Sequence, residues 1–217
     1  MSYYQLPRVN FFISKYIDYI VDDKSPDIMI SHSLSRYLYE IKQRLETIEH
    51  EWDIHKKYTN PYEYIHTNIP HTKKCVSKYN PLSRSYFKMI EMINTFGLRF
   101  DSKPIHTFHI AEGPGGFIEA MVHMRNCSHD SYVGMTILDD KSDPNIPAWK
   151  KTQNFLQKNP NVYIERGNDK TGDILKLENF VYCKEKYGSS MELITGDGGF
   201  DFSVDFNNQE VHISDLL

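Results

Sequence analysis

Apolar residues along this chain follow two rhythms. Ahead of about residue 100 they recur at helical spacing: Leu34, Leu38, Ile41, Leu45, Ile48 and Trp52 share one stripe, with serines before them to serve as N-cap. The stripe predicts an amphipathic helix whose apolar side belongs to a core. Turn residues at 59–64 and Pro70 predict loops. A second helix is expected from a cap at Ser83 to Phe96, stopped by Gly97. From Ile105 onward short β-type runs alternate with helical ones. Residues 105–110, 132–136, 162–165 and 191–195 read as strands, and 117–124, 149–157 and 174–187 as the helices between them. This alternation predicts an α/β fold, a Rossmann-like parallel sheet with right-handed crossovers over residues 76–217. Residues 1–75 are expected to form a helical extension. Only four strands fit before Leu217, fewer than a doubly wound sheet normally holds, so an incomplete sheet with an exposed fourth-strand edge and poor monomeric behaviour is expected.

Composition narrows the class. With 217 residues the chain can bury a sizeable core, and no run of about 18 apolar residues suggests a membrane span. The N-terminus lacks a signal-type pattern. Cys75, Cys127 and Cys183 are scattered, forming neither a CxxC pair nor a disulfide framework, which predicts a reducing compartment, cytoplasmic or nuclear, and no metal centre. His106 and His109 flank the first strand and read as packing or surface residues.

The net charge of −4 argues weakly against nucleic acid, but its distribution argues for it. Between Glu63 and Glu91 no acid occurs, while Lys73, Lys74, Lys78, Arg84 and Lys88 all fall there, interleaved with Tyr79, Tyr86 and Phe87. Cations with aromatic faces suit a single-stranded backbone and its bases. The alternative is a solvated basic face.

Candidate chemistry begins at residues 111–120, Ala-Glu-Gly-Pro-Gly-Gly-Phe-Ile-Glu-Ala, where a strand passes through a glycine turn into a helix. Glycines admit a ligand close to the backbone, the helix start offers free N–H groups, and Pro114 stiffens the turn. Glu112 would repel a phosphate and suits ribose hydroxyls, so an adenosine-type cofactor such as S-adenosylmethionine is expected. The alternative is a tight turn whose glycines serve packing. A second acid enters a glycine turn at Asp197, within Thr195-Gly-Asp-Gly-Gly-Phe200, where parallel α/β sheets gather ligands. A third segment, Ser83-Arg-Ser-Tyr-Phe-Lys88, sets a lysine on the helix before the first strand.

In order and spacing these three segments resemble the FtsJ/RrmJ-type family of RNA ribose 2′-O-methyltransferases. Thr195 to Phe200, followed by Asn207-Asn-Gln-Glu210, is similar to the branch that acts on mRNA caps. The resemblance covers residues 83–217. It implies a Lys-Asp-Lys-Glu catalytic tetrad, with Lys88 and Asp197 as its first two members. It also implies an S-adenosylmethionine site at Glu112, Gly113, Pro114, Gly115, Gly116 and Phe117, and Asp173 near the adenine amino group. Asp139 or Asp140 would meet the cofactor ribose. The second lysine usually acts as base in that family, and nothing after Asp197 offers a lysine. The missing members would come from a continuation of the chain or a partner. The expected substrate is RNA, capped mRNA foremost, contacted by the extension and by Lys73, Lys74, Lys78 and Arg84. Two rivals stand beside this reading: a non-catalytic module binding S-adenosylmethionine or RNA, and the same chemistry on ribosomal or transfer RNA.

Overall fold

The computed structural model describes residues 31–51, 54–55, 59–98, 100, 103–138, 146 and 148–199. The chain divides into two compact units, Met1–Pro61 and Tyr62–Leu217.

In the first unit, helix α1 spans His32–Glu46. Ser31 caps it, its Oγ accepting the Leu34 N–H at 3.3 Å, and Arg36 pairs with Glu40 one turn on at 3.0 Å. The helix is where the periodicity puts it, but its stripe is not core among the described residues. Leu34, Leu38, Ile41 and Ile48 are all exposed. Trp52, the last residue of the stripe, lies outside the described residues.

The second unit holds the sheet. In chain order it contains α2 (Ser85–Phe96), β1 (His106–Ile110), α3 (Gly116–Arg125), β2 (Ser131–Met135), α4 (Gln153–Lys158), β3 (Val162–Glu165), α5 (Leu177–Tyr187) and β4 (Leu193–Gly196). The four strands are parallel in the order β3-β2-β1-β4. This is the expected Rossmann-like α/β architecture, and strand limits differ from the sequence reading by two residues at most.

Strand alternation sorts the two faces. Tyr132 packs with Tyr86, Met89 and Ile93 of α2 and with Ile118 and Met121 of α3. On the other face Phe108, Val133 and Met135 meet Cys183 of α5. Each fully buried aliphatic side chain contributes roughly 1.5–3 kcal/mol, so α2 and α3 are fastened to the sheet by several such residues. Below the sheet Arg125 and Asp130 form a buried pair at 2.5 Å, completed by the Tyr132 hydroxyl and the Ile105 N–H. Burial alone would raise the Asp130 pKa; these donors and the Arg125 charge hold it down at about 2.

Two local expectations change. Ser83 does not cap α2 with its side chain: Arg84 holds the N-cap position and the Ser83 Oγ is engaged by Ser85. Helix α4 starts at Gln153, not Trp149. The preceding turn drives the Trp149 ring against Gly134, where a Cβ would stand 2.6 Å from it.

Candidate active site

Parallel strands direct their carboxyl ends to one edge of the sheet, and the strand order places β1 and β4 side by side with Ile110 opposite Gly196. The next residues on each strand therefore bring the loop carrying Glu112 and the turn carrying Asp197 together. Leu193, Thr195 and Asp197 alternate in step, so Asp197 continues toward the α2 face. There Lys88 meets it. Its Nζ donates to both carboxylate oxygens, at 2.7 and 2.9 Å, across 109 residues of sequence. Lys88 is half exposed and Asp197 about one-third exposed, leaving the pair open to a substrate.

Glu112 is buried, and its carboxyl accepts the Ile118 N–H at 2.8 Å, closing the first turn of α3 from inside. Burial pushes its pKa up to about 8; the N–H groups of Ile118 and Phe117 oppose the rise, and the neighbouring Asp197 charge adds to it. The backbone of the loop is pinned as well: Gly115 N–H donates to the Glu112 carbonyl at 2.6 Å, and Thr152 Oγ1 donates to that of Pro114 at 2.6 Å. The Gly113–Pro114 peptide is cis, and Gly115 has φ +113°.

The glycines serve packing first. A Cβ on Gly113 would come 2.6 Å from the Ala148 carbonyl oxygen. One on Gly116 would run into the Ser83 and Ser85 hydroxyls and stand 2.9 Å from the Tyr86 nitrogen. The start of α2, which carries Lys88, is thus pressed onto the start of α3. Glu119, one turn into α3, locks that approach: its buried carboxylate accepts the Tyr79 hydroxyl and the Leu82 N–H, both at 2.7 Å. Phe117 is core.

Behind β3, Asn179 organises the turn that holds Asp173. Its fully buried amide accepts the Asp169 N–H at 3.1 Å and donates to Asp169 Oδ1 and to the Asp173 carbonyl, both at 2.8 Å. The Leu138 N–H bonds the Thr171 carbonyl at 2.8 Å, drawing this turn to the end of β2. The Asp173 carboxylate accepts the Leu175 N–H at 3.0 Å. Asp139, Asp140 and residues 207–210 lie outside the described residues.

Of the basic candidates, Lys73, Lys74, Lys78 and Arg84 are exposed, and Arg84 lies 3.9 Å from Glu63. The aromatic part of that pattern divides: Tyr86 is core and Phe87 half-buried against the same cluster, while Tyr79 is exposed with its hydroxyl bonded to Glu119.

Two residues to which the sequence reading gave no functional role matter here. His109 is fully buried, bonded to Thr107 at 2.8 Å and to Thr195 of β4 at 2.6 Å, and burial lowers its pKa to about 3. It stays neutral and braces the strand that delivers Asp197. Glu119 is the other; its place three residues after Gly116, in the first turn of a helix, was the available signal.

Glu112 and Asp197 thus stand together at the ends of β1 and β4, beside a glycine-loop helix start on a parallel α/β sheet. Residues 81–217 match the FtsJ-like methyltransferases, and the chain belongs to that family. It is 26% identical to the cap-specific mRNA (nucleoside-2′-O-)-methyltransferase 2 of Pongo abelii over 98% of its own length, and 28% identical to that of Mus musculus over 85%. The Danio rerio protein of the same name is 26% identical over 88%. The chain spans 30% or less of the length of these relatives.

Proposed function

We propose that this chain forms the S-adenosylmethionine-binding part, and half the catalytic set, of an RNA ribose 2′-O-methyltransferase acting next to the mRNA cap. In this reading residues 1–75 are an RNA-contacting extension and residues 76–217 the methyltransferase domain. The observation that carries the reading is the Lys88–Asp197 bond, which unites two motifs of the resemblance at the edge where Glu112 lies. The relatives named for cap-specific 2′-O-methylation support the choice of substrate.

The cofactor would lie between Glu112, the loop through Gly116, and Asp173, and when bound it supplies an electrophilic sulfonium methyl. Glu112, protonated near neutral pH, can donate to a hydroxyl or, ionised, face a cation. Lys88 would donate to the ribose 2′-oxygen and hold it in line, positioning being worth several kcal/mol of barrier. Asp197 fixes that ammonium from the other side. The 2′-oxygen loses its proton as it takes the methyl, and Lys88 is occupied as a donor to Asp197. The base would be the second lysine of the resemblance, for which residues 198–217 contain no counterpart. The alternative reading is a cofactor- or RNA-binding module without its own turnover.

Labelled S-adenosylmethionine with capped and uncapped short RNA separates the two. Cap-dependent label in a 2′-O-methylated nucleotide, lost in both Lys88→Ala and Asp197→Ala, is the expected result. Label that survives both substitutions, or that appears on a base, refutes the reading; binding without label supports the module.

A further inference from the structure

Four stretches of the second unit line a cavity of about 450 Å³ beside the cofactor loop. Leu82 and Pro114 give it apolar wall, while His66, Arg84, Lys150 and Lys151 bring basic groups to it from separate segments. No Asp or Glu lines it among the described residues; Glu63 stands outside, 3.9 Å from both His66 and Arg84. Its volume falls in the range of small-ligand sites, and its mix of apolar wall and cationic rim suits a nucleotide.

Its place in the fold says which nucleotide. Arg84 precedes Lys88 by four residues, so the two share one side of the α2 start, about 6 Å apart along the axis. That step matches the distance between neighbouring units of an extended strand. A ribose held at Lys88 and Asp197 would therefore direct the adjoining phosphate into this cavity. The carboxylate of a cofactor is a poorer occupant. Pro114 has no N–H to offer it, the Pro114 carbonyl is taken by Thr152, and the cations present exceed what one carboxylate needs.

We propose that this cavity seats the RNA nucleotide next to the one methylated, with His66, Arg84, Lys150 and Lys151 on its phosphates and Leu82 and Pro114 against its sugar or base. The proposal rests on the ribose-methylation reading for the strand's direction. It adds His66, Lys150 and Lys151 as RNA contacts that the charge pattern of residues 64–90 does not include.

The test is fluorescence anisotropy of a short capped single-stranded RNA against the chain and its Lys150→Gln/Lys151→Gln variant, over a range of salt. Both lysines are exposed, so folding should be unaffected, and a melting curve checks this. RNA affinity should fall about tenfold, and the dependence of log K on log salt should flatten by about 1.4, the share of two phosphate contacts on a single strand. Affinity for S-adenosylmethionine should not change, and Lys150→Arg/Lys151→Arg should restore RNA binding. Unchanged RNA affinity and slope overturn the proposal, as does a loss confined to S-adenosylmethionine. Methyl transfer measured in parallel keeps the two readings apart. A chain that binds RNA through these lysines but transfers no methyl refutes methylation and keeps the cavity; transfer with an unaltered RNA KM in the variant does the reverse. A wild-type chain that binds no RNA removes both.

Discussion

Glu112 stores a pH-dependent cost that can be measured without substrate. Its folded pKa is about 8, against an ordinary 4.5, chiefly because it is buried. The sign follows from proton affinity: the folded state holds this proton more tightly than the unfolded state. Its contribution is therefore fully present below pH 4.5 and is lost as pH rises toward 8. At 1.36 kcal/mol per unit, the loss is about 3 kcal/mol at pH 7 and about 5 kcal/mol above pH 8. Glu112→Gln keeps an acceptor for the Ile118 N–H and removes the titration. The wild-type profile alone would hide this. His109, held neutral with a pKa of about 3, loses stability as pH falls below 6.5, so the two groups oppose each other between pH 4.5 and 6.5. The informative quantity is the difference between the variant and wild-type melting temperatures, in which His109 cancels. That difference should widen from pH 5 to pH 8 and then level off, reaching roughly 6–12 °C in favour of the variant at pH 7. Saturating S-adenosylmethionine should narrow it if a cofactor donor meets the carboxylate. A difference that does not vary with pH, or one that favours wild type in alkali, would refute the assignment of a buried, uncharged Glu112.

Other perturbations follow from contacts already described. Asp130→Ala leaves the Arg125 guanidinium buried without its carboxylate, and denaturant unfolding should show a loss of about 3–5 kcal/mol, with S-adenosylmethionine affinity in the folded fraction unaltered. Gly116→Ala forces a methyl into the start of α2 and should lower methyl transfer at least tenfold; combining it with Ser83→Ala and Ser85→Ala should recover part of the loss in the same assay, because two of the three obstructing contacts are then gone.

What could be read from the chain in advance divides along a physical line. Strand positions and crossover helices were legible because alternation and helical spacing are properties of neighbouring residues. The Lys88–Asp197 meeting was legible only through the resemblance, since no local pattern links two residues 109 apart. The roles of His109, Glu119 and Asn179 could not be read. Each is a polar side chain whose partners come from elsewhere in the fold. The glycine loop was half legible. Its position was apparent, but Gly113 and Gly116 are required by Ala148, Ser83 and Ser85, which nothing in residues 111–120 announces. Tyr86 misled for a related reason: among lysines it resembled a stacking ring, yet it is buried against α3 and the sheet.

The long separation between Lys88 and Asp197 also sets an order of events during synthesis. At ordinary ribosomal speeds of about 5–20 residues per second, roughly 5–20 s pass between the appearance of the lysine and that of its aspartate. Through that interval β1 has β2 on one flank and nothing yet on the other, and Lys88 has no acid to hold. Only when β4 pairs with β1 can Lys88 meet Asp197. A nascent chain can therefore fold its glycine loop and first three strands before the Lys88–Asp197 pair forms, and that pair arrives with β4.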